Sequence, residues 1–402
     1  MLKGMKLLNT LEKLNIKLNS LVIFRNLLSD NVFKKLSDLL AAYDKNPLKQ
    51  ISLYSSFANS LFENNESLTD YTLNSVLQDE NIYLLKRARN LPVSDNLQEC
   101  LNNELLILQK ISRLTSEKIK EYIAADCYLP DWETGDADFV SLYSDRADNI
   151  SKYGFGIYSR YHVFTVKDGI IVPVKNPDNV KIADLYGYDS ERKQVADNTL
   201  AFLNDKPAAN VLLYGDAGTG KSTTVKAIVN EYKAQGLRLI EVSKNKLDEI
   251  PTIIEALSGN PLKFILFIDD LSFNKNNDAF GSLKSALEGS VSAKSPNLLI
   301  YATSNRRHLI KESFQDRDGD DIHINETIQE LSSLSDRFGL TVSFFRPDKD
   351  RYLHIVHSLA NRYDLKIGDE FLDSEAERYA LKRGGRSPRI AKHLIEYLKS
   401  IE

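Results

Sequence analysis

Gly215-Asp216-Ala217-Gly218-Thr219-Gly220-Lys221-Ser222 is the stretch from which the rest of the chain can be read. It fits G-x-x-x-x-G-K-[ST], the spacing of a loop that wraps a phosphate chain. Glycines permit the tight turn and let backbone N–H groups point inward at phosphate oxygens. A helix that starts at the loop aims its positive end at the same anion. In such a loop Lys221 reaches the β- and γ-phosphates, and the Ser222 hydroxyl ligates Mg²⁺. Residues 215–222, with Thr223 after them, are therefore the candidate cofactor-binding segment. The loop needs a strand before it and a helix behind it. Asn210–Tyr214 (NVLLY) is an apolar run, and residues 222–235 put Val225, Ile228, Val229 and Tyr232 on one helical face.

Outward from the loop, strand and helix patterns alternate. Apolar runs recur at Leu237–Val242, Phe264–Ile268, Leu298–Thr303 and Thr341–Phe345, with a helical pattern over 278–289. Continuous apolar strands imply burial on both faces, hence a parallel sheet covered by helices. The third run ends in Asp269-Asp270. Two carboxylates at the end of a buried strand supply what the phosphate site lacks. Asp269 is the expected partner of the Mg²⁺ shell, and Asp270 is placed to orient or deprotonate a water. After Pro347 the pattern turns helical, with Tyr352, Ile355, Val356 and Leu359 on one face.

Upstream, residues 1–150 read as mostly helical. Leu7, Leu11, Leu14, Leu18 and Leu21 recur at helical spacing, as do Leu101, Leu105, Leu108 and Ile111. The acidic stretch around 126–148 reads as a solvated linker anchored by Trp132. Lys167-Asp168-Gly169 between two β-rich runs signals a hairpin at the entry to the next domain. The expected domains are thus 1–150 (helical), 151–180 (linker with hairpin), 181–346 (αβα core) and 347–402 (helical lid).

The net charge of −4 argues against nucleic-acid binding by bulk electrostatics. Cys100 and Cys127 lack a CxxC pairing and read as reduced thiols. His354 and His357, at i, i+3, have no evident third metal ligand. No apolar run approaches a membrane span of about 20 residues. Charged and polar residues interrupt the first 20 positions, so a signal peptide is not expected and the reading is cytoplasmic.

Four further segments carry a resemblance to the AAA+ ATPases. Thr303-Ser304-Asn305, at the end of the fourth core strand, resembles the sensor 1 position, which implies that Asn305 helps hold water near the γ-phosphate. Leu334-Ser335-Asp336-Arg337-Phe338-Gly339 resembles the arginine-finger segment, so Arg337 would project into the neighbouring subunit. Arg383-Gly384-Gly385-Arg386-Ser387-Pro388-Arg389-Ile390 is similar to sensor 2, with Arg389 reaching the γ-phosphate from the lid. Leu185-Tyr186-Gly187-Tyr188 looks like the segment that packs on adenine, with Tyr186 and Tyr188 both open as the stacking ring. The resemblance spans roughly 180–402. LYGDAGTGKS, FIDDLSF, YATSNRRHLI and LSDRFGL bring it nearest to a bacterial AAA+ family known only as a domain of unknown function. The lid and finger segments also resemble those of the Holliday-junction branch-migration motor.

The implied fold is an α/β AAA+ P-loop core with a parallel five-stranded sheet, a helical lid and a helical N-terminal domain. The implied ligands are ATP and Mg²⁺. The implied assembly is a homo-oligomer, ring or helix, with a hexamer among the candidates, because an arginine acting in trans needs a head-to-tail interface. Most AAA+ proteins carry Asp-Glu where this chain has Asp269-Asp270. The aspartate is shorter by one methylene, about 1.5 Å, and a misplacement of that size can cost roughly a hundredfold in rate. Ser243, at the end of the second core strand, is a candidate switch for the catalytic carboxylate. The segment after that strand (SKNKLDEIPT) lacks the aromatic-glycine loop of peptide-threading motors. Arg306 and Arg307 form a basic pair, and the acidic insert 311–323 reads as a solvated loop. Three functions stay open: an ATP-hydrolysing remodeller of a protein client, a DNA-acting motor or loader, and a nucleotide-gated scaffold with little turnover.

Overall fold

The computed structural model describes residues 2–42, 45–123, 127–271, 279–288, 296–305 and 337–402. They divide into two compact units, Met1–Arg160 and Tyr161–Glu402.

The first unit is built from helices, the longest being Leu2–Asn19, Pro47–Phe62 and Asp95–Ser112. Their starts follow from capping. Asn46 accepts the N–H of Lys49, and Ser94 that of Leu97. The spacing of Leu101, Leu105, Leu108 and Ile111 buries all four on one face. Glu104 lies among them, also buried, and its burial is compensated by hydrogen bonds. Its carboxylate accepts the backbone N–H groups of Val22, Ile23 and Phe24 at 2.7–3.2 Å.

The acidic stretch near 126–148 is not a linker. Trp132 is buried against Tyr54 and Phe57, with ring centroids 5.3 and 5.0 Å away, and its Nε1 donates to Leu114 O at 2.8 Å. Phe139–Asp148 is a helix that buries Phe139, Tyr143 and Ala147. The carboxylates that suggested solvation hold this segment in place instead. Asp131 pairs with Lys120, Asp136 with Arg113 and Asp148 with Arg87, while Asp138 caps the helix.

Among the described residues the second unit carries a seven-stranded sheet rather than the expected five. Its strands are β1 (Val163–Lys167), β2 (Ile170–Pro173), β3 (Val211–Gly215), β4 (Leu237–Glu241), β5 (Lys263–Ile268), β6 (Leu298–Ser304) and β7 (Leu340–Phe344), in the order β2-β1-β4-β5-β6-β3-β7. The five expected strands are parallel and contiguous, from β4 to β7. The two extra strands are the hairpin. Asp168 and Gly169 take φ of +51° and +75°, the paired left-handed residues of a two-residue turn. β1 then pairs parallel with β4 and covers an edge that would otherwise be unpaired. The Asp-Gly turn signals the hairpin, but a turn does not say which edge a strand will join.

β5 is buried from Phe264 to Ile268 and sits between β4 and β6, as its unbroken apolar run predicts. The helix Lys221–Tyr232 packs Val225, Ile228 and Val229 into the core. Lys349–Arg362, Asp369–Lys382 and Pro388–Ile401 form the lid, where Ile355, Val356 and Leu359 join a cluster with Leu372, Ala376, Leu394 and Leu398. No helix among the described residues is long and apolar enough to cross a membrane. Arg306, Arg307, the insert 311–323 and Leu334–Asp336 lie outside the described residues.

Candidate functional site

β3 ends at Gly215, whose φ is +135°. A Cβ there would stand 2.2 Å from Phe344 O on β7, so the close approach of the two strands requires glycine. The loop turns through Gly218 and Gly220, both at positive φ, and the helix begins at Lys221. Thr219 Oγ1 donates to Asp216 O at 2.9 Å and braces the turn. Asp216 N donates to Phe344 O, which fixes the loop to the sheet.

Three elements converge on Lys221. Its ammonium is buried and donates to Gly215 O and Asp216 O, both at 2.8 Å, and to Asn305 Oδ1 at 3.0 Å. Burial pushes it below the ordinary lysine value, while Asp216, Asp269 and Asp270 pull the other way. Ser222 Oγ donates to Asp269 Oδ1 at 2.6 Å. Thr303 Oγ1, from β6, donates to the same oxygen at 2.5 Å and accepts the Asp270 N–H at 2.9 Å. Asn305 Nδ2 donates to Asp270 Oδ1 at 2.9 Å. Lys221, Ser222, Asp269, Asp270, Thr303 and Asn305 thus form one connected polar chain. Thr303 is its hub, a role that the motif reading assigned to no residue. Asp270 holds a left-handed backbone, φ +52°, a strained position of the kind that collects at functional sites. From the end of β4 it is met by Lys244, Nζ to Oδ2 3.8 Å, while Ser243 is exposed.

This chain floors a cavity of about 940 Å³ between the core and the lid. Ala217 to Thr223 line it on one side. Val180, Leu185, Tyr186, Ile355, Leu359 and Tyr363 line it on another and give it an apolar wall. Of the two tyrosines left open by sequence, Tyr186 reaches the cavity. Tyr188 is turned into the core, 1% exposed, stacked on Phe344 at 5.3 Å with its hydroxyl donating to Phe345 O at 2.5 Å. Gly187 separates them at φ +66°, where a Cβ would stand 2.8 Å from Ile355 Cδ1.

The lid touches the loop directly. Arg389 lines the cavity, and its backbone N–H donates to Gly218 O at 3.3 Å. Arg346, which no motif flagged, ties three parts together. Its backbone N–H donates to Asp216 Oδ2 at 2.9 Å, its Nε lies 3.7 Å from Asp216 Oδ1, and its Nη1 donates to Gly384 O at 3.0 Å. Arg362 closes the other rim on Asp184 at 3.0 Å.

Arg337 stands apart from this cavity. It lines a smaller one, about 360 Å³, with Phe202, Asn210, Leu298 and Gly339, beside the N-terminal ends of β3, β6 and β7. The polar chain and Arg389 are brought together, and Arg337 is not.

The oxygen donors suit a hard cation. A hydroxyl and a carboxylate within hydrogen-bonding distance, Ser222 and Asp269, are the ligand types that Mg²⁺ takes beside phosphate oxygens.

The family described as "Protein of unknown function (DUF815)" matches residues 159–401. The "Holliday junction branch migration complex subunit RuvB" of Mycoplasmopsis synoviae is 29% identical over 195 residues, 48% of this chain and 56% of that protein. The "Replication factor C large subunit" of Staphylothermus marinus is 42% identical over 64 residues, 16% of this chain and 14% of that protein. The chain therefore spans about half the length of the first relative and far less of the second. The solved Thermotoga maritima RuvB Holliday junction branch migration motor aligns at a TM-score of 0.38 and 21% identity, over 54% of this chain and 63% of that one.

Proposed function

We propose that this chain, which belongs to the DUF815 family and with it to the AAA+ superfamily, binds ATP–Mg²⁺ in the 940 Å³ cavity and hydrolyses it between subunits to remodel a macromolecular client. The observation that carries this reading is the connected polar chain from Lys221 to Asp270 on the cavity floor. Lys221 would exchange its two carbonyl partners for β- and γ-phosphate oxygens. Ser222 and Asp269 would hold Mg²⁺, which when bound supplies charge neutralisation of the phosphates. Asp270, oriented by Asn305, would accept a proton from the attacking water. Arg389 would reach the γ-phosphate from the lid. Tyr186 and the aliphatic wall would take the adenine. Arg337, which does not line the 940 Å³ cavity of its own chain, would serve that of the next subunit in a ring or helical homo-oligomer, with a hexamer among the candidates. An arginine supplied in trans is worth about 10³–10⁵ in rate. The helical residues 1–160 would hold the client.

A second reading is a nucleotide-gated switch with little turnover. The observation in its favour is Asp270 itself, shorter than the usual glutamate and met by both Asn305 and Lys244. The names of the two curated relatives favour DNA as the client, against a net charge of −4.

Steady-state ATPase activity across protein concentrations, for wild type and Arg337→Ala, tests the proposal. Specific activity that rises with concentration and collapses in the variant supports it. An unchanged rate in the variant removes Arg337 from the mechanism. ATP binding without turnover in either protein selects the switch. Stimulation by DNA with a steep salt dependence would make DNA the client.

A further inference from the structure

The lid helix Pro388–Ile401 lines the cavity with Arg389, Lys392, His393 and Glu396, at spacings of three and four residues along one face. Its two ends meet different parts of the cavity. At the start, the Arg389 N–H donates to Gly218 O, and Ser387 Oγ lies 3.2 Å from where a Cβ on Gly218 would stand. Two turns on, Glu396 Oε1 accepts the hydroxyl of Tyr363, which belongs to the wall of Tyr186, Ile355 and Leu359. The helix therefore runs from the phosphate loop toward the apolar wall. Lys392 lies between, three residues or about 4.5 Å along the helix axis beyond Arg389.

We infer that Lys392 is a second nucleotide contact on the lid, serving the phosphates nearest the ribose, so that the lid grips nucleoside diphosphates as well as triphosphates. This rests on the nucleotide reading of the cavity. The terminal phosphate already has Lys221 and Arg389 as candidate partners. On this helix Lys392 is the lysine between loop and wall, while the lid's Arg362, which also lines the cavity, is held by Asp184 at 3.0 Å. A lysine suits this place because its ammonium is a point charge on a flexible stem, free to follow a phosphate. It is also available. Its ion pair with Glu396 is long, 3.7 Å, with the side chains 57% and 44% exposed. Such a pair is screened by water and is readily exchanged for a phosphate oxygen. Glu396 keeps its bond from Tyr363 when Lys392 leaves, so neither carboxylate nor wall is stranded.

Titration of the full chain with ADP and with a non-hydrolysable ATP analogue, in the presence of Mg²⁺, tests the assignment. Lys392→Ala is expected to weaken both ligands by the same factor, about tenfold, the worth of one charge-assisted hydrogen bond. Lys392→Arg is expected to restore most of the affinity. Arg389→Ala is the contrast, expected to weaken the triphosphate analogue and spare ADP. An unchanged ADP affinity in Lys392→Ala, or a loss confined to the triphosphate, overturns the proposal. The position is exposed on a helix face, and an unchanged melting temperature confirms that the loss is local; Lys392→Gln repeats the test with the stem retained. If Lys221→Ala also leaves both affinities unchanged, the nucleotide reading of the cavity falls with it, a result distinct from failure at Lys392 alone.

Discussion

The phosphate side of the large cavity and its apolar side are assembled differently. The phosphate side comes from short runs, 215–223, 269–270 and 303–305, each lying where a parallel strand ends and each tied to the next by hydrogen bonds. The apolar side takes Val180, Leu185 and Tyr186 from before β3 and Ile355, Leu359 and Tyr363 from the lid, across more than 160 positions of sequence. At the rim its two halves are joined by the partly exposed ion pair of Arg362 with Asp184, and behind the wall Arg351 pairs with Glu191. Such pairs are worth little individually. The comparison sets a hydrogen-bonded floor, where chemistry requires fixed atoms, against a wall gathered by apolar packing from distant segments.

Breaking the floor should have the largest effects. Lys221→Ala is expected to lower nucleotide affinity by roughly a hundredfold or more, since two charge-assisted hydrogen bonds to phosphate are lost together. Calorimetric titration would read it, and wild-type affinity would unseat the phosphate assignment. Thr303→Val keeps the volume of a buried side chain but removes the hydroxyl that links Asp269 to Asp270. Turnover should fall by tens of fold through misplacement of both carboxylates, with KM little changed. A fall in affinity instead would make Thr303 part of the binding wall.

Changes to the wall should be milder. Tyr186→Ala is expected to weaken nucleotide binding by about fivefold or more, from the usual worth of ring-on-base stacking. Tyr188→Phe should leave affinity alone and cost about 1 kcal/mol of stability through the lost bond to Phe345 O. The reverse result would exchange the two tyrosines' roles. Smallest of all, Arg346→Ala should change affinity by only about twofold, because its contacts with Asp216 are exposed. A much larger loss would show that Arg346 governs how the lid closes on the loop.

How far each part could be read from sequence follows the same division. The loop, the Asp269-Asp270 pair and the five parallel core strands were legible because one local run carries each of them. Thr303 belongs to the Thr303-Ser304-Asn305 segment, yet its place as the hub depends on β6 lying beside β5, which no local pattern states. Trp132 and its acidic neighbours read as solvated because their ion-pair partners, Lys120, Arg113 and Arg87, are 11, 23 and 61 residues away. Tyr186 and Tyr188 are two residues apart and indistinguishable by type. Only the left-handed turn through Gly187 and Tyr188 sends one to the cavity and the other into the core.

Sequence by itself determined the phosphate loop, the alternation of strands and helices around it, and the carboxylates that follow β5. Steric freedom at glycine, burial on both strand faces and charge at a strand end are properties of a few adjacent residues. Tertiary structure alone decided that the hairpin would extend the sheet beyond β4, that Arg346 would join loop to lid, and that Lys392 and Glu396 would share a cavity with residues 170 positions earlier. Those outcomes depend on which edges and faces remain uncovered once the core has formed, and that is a property of the folded whole.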